Sequence, residues 1–137
     1  PHSPDSISYD WLQGLNKEDH IFWLEHTDNV KDFLSSIDVF VLPTYYPEGL
    51  PKSLLEAGAM QLPLITTNTP GCKEVVHDGH NGFLVSIKDQ VDLSQKMYEL
   101  SLSKEKRVEM GENSREIIVA EYDVKIVNDK TIKLYNL

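Results

Sequence analysis

Apolar residues along this chain fall into two spacings. Unbroken apolar runs such as Val39-Phe40-Val41-Leu42 and Leu62-Pro63-Leu64-Ile65 alternate with stretches in which apolar positions return every three or four residues. The first spacing predicts strands and the second predicts amphipathic helices. Strands are expected at Ile21-Phe22-Trp23-Leu24, at 38–42, at 62–67 and at Phe83-Leu84-Val85. Helices are expected at 7–15, with Ile7, Trp11 and Leu15 on one face, and at 30–36, with Val30, Phe33, Leu34 and Ile37 inward and Asp28 or Asn29 as cap. Another is expected at 51–60, where Pro51 suits a first helical position because its missing N–H has no partner there anyway. Three more follow. One starts near Asp89 with a Leu93, Met97, Leu100 stripe. One is capped by Ser103 and runs to about Glu121. One is capped by Asp123 and carries Val124, Val127, Thr131 and Leu134 on one face. Asn68-Thr69-Pro70-Gly71, Asp78-Gly79 and Asn81-Gly82 read as turns.

Strands separated by helices imply parallel pairing through crossovers, hence an α/β fold. Unbroken apolar strands suit a sheet covered on both faces. Ligands in such sheets sit beyond the carboxyl ends of the strands. That directs attention to the loops 25–29, 44–50 and 68–71. The length of 137 residues, 40% hydrophobic and 26% charged, fits one soluble globular domain. A net charge of −9 argues against a nucleic-acid partner but not against a phosphate held by helix amides. One cysteine, Cys72, permits no internal disulfide and is expected to be structural. No apolar run is long enough to span a bilayer and no signal peptide is visible. The chain opens Pro1-His2-Ser3-Pro4 without methionine, which reads either as an artificial start or as a cut inside a longer protein.

The segment from Pro43 to Ala57 carries the chemistry. It places Glu48 in a loop after a strand, a helix opening next, and Glu56 a little over one turn into that helix. A diphosphate wants free N–H donors and the positive end of a helix dipole, which the amides of Lys52 and Ser53 offer, with the Lys52 ammonium beside them. Sugar and ribose hydroxyls want acceptors, and carboxylates are acceptors only. Glutamates at this spacing also occur by chance on solvated faces, so the strand–loop–helix setting is what points to a nucleotide-sugar.

Glu48 and Glu56 match the E-x7-E motif of the family-four retaining glycosyltransferases, and the neighbouring stretches resemble the same family. These are Asp38-Val39-Phe40-Val41-Leu42-Pro43, Leu62-Pro63-Leu64-Ile65-Thr66-Thr67, Thr69-Pro70-Gly71-Cys72-Lys73-Glu74-Val75-Val76 and Asp78-Gly79-His80-Asn81-Gly82-Phe83-Leu84-Val85. The resemblance runs from about Ile21 to the C-terminus. It implies a Rossmann-like parallel sheet, specifically an incomplete C-terminal donor-binding domain of the GT-B fold. It also implies hexosyl transfer with retention from a nucleotide-sugar. Glu48 would be the catalytic residue and bind the donor sugar, Glu56 would bind ribose, and Gly49, Leu50, Lys52 and Ser53 would hold the diphosphate. Glu25, His26 and Thr27 would lie beside the base. The Thr69-Pro70-Gly71-Cys72 form resembles bacterial enzymes that build surface polysaccharides, which use UDP-sugars. No cofactor and no metal is implied. The chain would be one partial domain, 1–137, whose last segment, 123–137, packs toward an N-terminal domain not present here. That domain would bind a glycan or lipid-linked acceptor. The location implied is cytoplasmic, with a peripheral position at the inner face of the cell membrane as a variant.

The departures matter as well. Glu25 stands where the family has glycine, and Gln61 stands where glycine ends the helix, a left-handed position that disfavours side chains. The family's first two strands and its diphosphate-binding Arg and Lys have no counterpart. The isolated chain is therefore expected to be inactive and to expose sheet edges that invite self-association. A non-catalytic remnant or interaction module of the same fold is the alternative. A dehydrogenase or receiver is a third reading, weakened by the lack of a G-x-G-x-x-G after a first strand. His26, His77 and His80 read as surface histidines. Tyr45 and Tyr46 read equally as sugar-stacking or packing groups.

Overall fold

The structure is a computed structural model that describes residues 7–15, 20–46 and 49–135. The expected tail, 1–6, lies outside them. The chain divides into two units, Pro1–Val30 and Lys31–Leu137.

The first unit contains α1, Tyr9–Leu15, which buries none of its residues. The Tyr9 ring meets Trp23 edge-on at 5.0 Å, and its hydroxyl donates to Glu25 Oε1 at 2.9 Å. That hydrogen bond raises the Tyr9 pKa, with desolvation and the charge of Glu25 adding to it. The strand expected at 21–24 does not form. Its residues are extended coil, with Phe22 70% exposed and Leu24 62% exposed. A strand needs a neighbour to accept its N–H groups, and no described strand pairs with this run. Local apolar spacing was right about the composition of a strand and could not supply its partner.

The second unit is built on three parallel strands in the order β1-β2-β3: β1, Phe40–Leu42; β2, Leu64–Thr67; β3, Gly82–Val85. Phe40 pairs with Leu64, and Leu64 with Gly82. Helix α3, Lys52–Ala59, connects β1 to β2, while turns rather than a helix connect β2 to β3. After β3 come α4, Gln90–Leu102, α5, Lys104–Glu121, and α6, Val124–Leu134; α2, Val30–Ser35, precedes the sheet. The caps expected at Ser103 and Asp123 are present, and Asp89 caps α4 as well. Asp89 accepts from the amide of Asp92, Ser103 from Lys106 and Asp123 from Lys125.

Strand alternation sends side chains to two cores. Leu64, with Phe40, Leu42 and Leu84 beside it, packs on Leu54, Ala57, Cys72, Val75, Val76 and Ile118. Ile65, Phe83 and Val85 pack on the other face with Leu100 and Met110. Cys72 is wholly buried, as a structural thiol should be. Helix α5 supplies Met110 to one core and Ile118 to the other, so it passes under the amino ends of the strands. There Ser114 Oγ donates to the carbonyl of Asn81 at 3.0 Å, and Arg115 donates to that of Ala59 at 2.6 Å. The amino end of the sheet is thus sealed, and the carboxyl end is left to loops.

Two expectations of burial are corrected. All of β2 is buried, but β1 is only half-buried. Of the face expected on α2, Leu34 is buried, whereas Val30 and Phe33 remain 39% and 37% exposed. The apolar stripe of α6 is likewise exposed, with no buried residue on the helix.

The end of α3 is a Schellman turn: the amide of Leu62 donates to the carbonyl of Ala57, and that of Gln61 to Gly58. Gln61 takes φ +61 to make it. A left-handed backbone costs an L-residue roughly 1–2 kcal/mol, so Gln61→Gly is expected to stabilise the fold by ~1 kcal/mol. Urea denaturation followed by circular dichroism checks this, and a lowered midpoint would count against it.

Candidate functional site

The carboxyl ends of β1, β2 and β3 share one rim. From β1 the chain passes through Pro43 and Thr44 toward α3. The hydroxyl of Thr66 donates to the carbonyl of Leu42 at 2.8 Å, and that of Thr67 donates to the carbonyl of Thr44. Two buried threonines thereby fix the start of this loop to the end of β2.

Helix α3 opens differently from α4, α5 and α6. Its N-cap is Pro51, φ −66 and ψ 115, which has no side-chain oxygen to cap with. Pro51 therefore stands one place before the helix rather than at its first position. Its carbonyl accepts from both Leu54 and Leu55, at 3.1 and 3.3 Å. The amides of Lys52 and Ser53 precede any carbonyl within the helix that could accept from them. No acidic residue occupies the first turn, and Lys52 puts a positive charge at the positive end of the dipole. That arrangement disfavours the isolated helix by a few tenths of a kcal/mol, roughly. It suits an anion placed at the opening.

Glu56 leans back toward that opening. Its carboxylate lies 3.5 Å from the Lys52 ammonium across one turn, with the two side chains 38% and 88% exposed. Side chains on a helix tilt toward its N-terminus, which accounts for the direction. Gly49, Leu50 and Lys52 are exposed, Ser53 is half-buried, and Pro51 and Leu54 anchor the turn from beneath.

The sequence candidates thus separate into three groups. Gly49, Leu50, Lys52, Ser53 and Glu56 come together at the start of α3. Glu48 lies outside the described residues. Thr27 belongs to the first unit, where it is exposed and its hydroxyl accepts from the amide of Asn29 at 3.1 Å. His26 is exposed and 3.3 Å from Asp28, while His77 and His80 are exposed beside the turn before β3. Sequence reasoning missed Lys88. Its ammonium sits 4.9 Å from the centroid of the Tyr45 ring, which in turn packs on Tyr46 at 4.3 Å. Nothing in the local spacing links positions 45 and 88; only the strand order brings them to one rim.

Comparison with known proteins identifies the family and the fold. Residues 8–117 match the family described as Glycosyl transferases group 1. An N-acetylgalactosaminyltransferase of Campylobacter jejuni that acts on N,N'-diacetylbacillosaminyl-diphospho-undecaprenol is 29% identical over 116 residues, 85% of this chain and 30% of that protein. The capsular polysaccharide biosynthesis glycosyltransferase CapM of Staphylococcus aureus is 28% identical over 122 residues, 89% of this chain and 32% of that protein. The chain spans about a third of the length of these relatives. Among solved structures, Anabaena HepE in complex with UDP superimposes with a TM-score of 0.82 at 20% identity, over 93% of this chain and 35% of that one. TarM superimposes with a TM-score of 0.85 at 22% identity, over 96% of this chain and 27% of that one. At these identities the structural likeness speaks for the fold, which is the Rossmann-like parallel sheet expected, present in part. The match over most of its length places this chain in the group 1 glycosyltransferase family.

Proposed function

We propose that this chain is the donor-binding part of an enzyme that transfers a hexosyl group from a UDP-sugar, with retention, in polysaccharide or glycoconjugate synthesis. The observation that carries the reading is the uncapped opening of α3, with Lys52 and Glu56 beside it at the carboxyl end of β1. In this reading the amides of Lys52 and Ser53 and the Lys52 charge bear the developing charge of the leaving diphosphate. Gly49 and Leu50 let its backbone approach. Glu56 accepts from ribose hydroxyls. Glu48 holds the donor sugar and is the catalytic group, and Thr27 lies near the base. The reading needs no metal and no cofactor, because helix and lysine carry the charge. HepE has been solved with UDP and with UDP-glucose, which supports a UDP-linked donor. The capsular polysaccharide role of CapM and the undecaprenol-linked substrate of the Campylobacter enzyme support the pathway class.

Further parts of the proposal follow from the greater length of the relatives, of which this chain spans about a third. The acceptor, a glycan or a lipid-linked sugar, binds a domain outside this sequence, toward which 123–137 packs. The isolated chain binds donor without turnover and self-associates through exposed sheet edges. Among the described residues no helix is long and apolar enough to cross a membrane. The proposed location is cytoplasmic, peripheral to the inner membrane face. A non-catalytic remnant is the second reading, favoured by the carboxylate of Glu25, tied to Tyr9, at the family's glycine position.

Calorimetric titration of the chain with UDP and UDP-glucose decides between them. Saturable binding supports donor recognition. Absence of binding at millimolar ligand supports the remnant.

A further inference from the structure

The diphosphate reading leaves one feature of the rim unused. At the carboxyl ends of β2 and β3 lies a cleft of about 230 Å³, lined by Tyr45, Thr67, Ser86, Lys88, Asp89 and Gln90 among others. Whole small-molecule sites occupy roughly 300–1,000 Å³, so this cleft is sized for a single sugar ring rather than for a nucleotide-sugar.

Two loops build it. The β1–α3 connection, fixed by the Thr67 hydroxyl on the Thr44 carbonyl, brings Tyr45. The β3–α4 turn, in which the amide of Asp89 donates to the carbonyl of Ser86 at 3.3 Å, brings Lys88. Lys88 adopts φ +60, a left-handed conformation that few non-glycine residues take. Such conformations persist where the surroundings impose them, and they gather at ligand-binding positions. Here the result is an ammonium held beside an aromatic face at the cleft mouth.

The charge of Lys88 is left for something else. The chain has 22 acidic residues, yet among the described residues none forms an ion pair with Lys88. Asp89 also lines the cleft, but its carboxylate is turned to the start of α4, where it accepts from the amide of Asp92 at 3.0 Å. Tyr45 is itself flanked by Lys88 and Tyr46, so its ring is not an open stacking platform. One ammonium balances one negative charge, which matches a carboxylate better than a phosphate monoester carrying nearly two. Ser86 and Gln90 supply both donors and acceptors for ring hydroxyls.

We infer that this cleft holds a carboxylate-bearing sugar ring, a hexuronic acid, and that Lys88 reads the carboxylate. The inference deepens the glycosyl-transfer reading by naming a substrate class, and it rests on that reading for the identity of the nucleotide. The acidic ring belongs to the donor or to the acceptor, and the two sources are separable.

In the first arm the chain is titrated calorimetrically with UDP-glucose and UDP-glucuronate. A donor source gives about tenfold tighter binding of UDP-glucuronate, the scale of one charge-assisted hydrogen bond. In the second arm methyl glucuronoside and methyl glucoside are added without nucleotide, and the backbone amides of Ser86, Lys88 and Gln90 are followed by NMR. An acceptor source gives saturable shifts with the acidic sugar only. In either arm Lys88→Met abolishes the preference. Lys88→Asn does the same while suiting the left-handed backbone, which guards against misfolding. Lys104→Met, an exposed change elsewhere, keeps the preference. If no acidic sugar is preferred over its neutral counterpart, or if the preference survives both Lys88 variants, the inference is overturned. Failure of UDP to bind would sink the donor reading alone, because the second arm contains no nucleotide.

Discussion

Gly82→Ala is expected to destabilise the chain by at least ~4 kcal/mol, lowering the thermal midpoint by about 15 °C. The reason is a backbone contact rather than a side-chain one. Gly82 opens β3 opposite Leu64, and a Cβ there would lie 1.8 Å from the Leu64 carbonyl oxygen and 2.7 Å from its carbonyl carbon. Flexible side chains can yield to such a contact, but the central strand of the sheet cannot, since Leu64 is bound on both sides. Overpacking commonly costs about 1–3 kcal/mol in cores that can relax, and this position cannot relax without losing a ladder. Gly111→Ala is expected to behave similarly, because its Cβ would meet the carbonyl oxygen of Gln61 at 2.1 Å and push α5 from the end of α3. Gly14→Ala is the control, with nothing within 4 Å of the added atom. Differential scanning calorimetry on the three variants tests this. A Gly82→Ala midpoint close to the parent's would show that the sheet tolerates what the geometry forbids.

The second large effect concerns binding. Glu56→Ala is expected to weaken UDP affinity by about a hundredfold, or ~3 kcal/mol, as the loss of hydrogen bonds from hydroxyls to a charged acceptor requires. An opposing term exists, because removing Glu56 frees Lys52 for the diphosphate. An exposed i,i+4 pair is worth only about 0.3–0.5 kcal/mol, so the loss of acceptor prevails. Glu56→Gln keeps the shape and one acceptor oxygen, and is expected to lose about tenfold. Neither change should move the thermal midpoint by more than about 2 °C, since Glu56 lies outside both cores and its pair is exposed. Calorimetric titration with UDP measures the affinities. Equal affinity in parent and Glu56→Ala would remove the ribose role assigned to this residue.

What was legible in the sequence follows from which forces are local. The caps Ser103 and Asp123 were legible because a side-chain oxygen two or three residues before an amide acts within one turn. The extent of α3 and β2 was legible for a similar reason, and so was the left-handed strain at Gln61. The run 21–24 has a strand's composition without a strand's partner, and pairing is not a property of the run itself. At the site, the uncapped α3 opening and Glu56 could be read from one continuous segment. Lys88 and Tyr45 could not, because 43 positions of chain separate two residues that only the strand order unites. The backbone contacts of Gly82 and Gly111 are non-local too, and spacing alone had marked Gly82 only as part of a turn.

The central claim is that the start of α3 grips a diphosphate, and amide NMR addresses it at single residues. With UDP added to the labelled chain, the amides of Lys52 and Ser53 should show the largest downfield shifts, as amides that gain a phosphate acceptor do. Uridine alone should leave those two unmoved. Shifts confined to other segments, or equal responses to uridine and UDP at Lys52 and Ser53, would contradict the account.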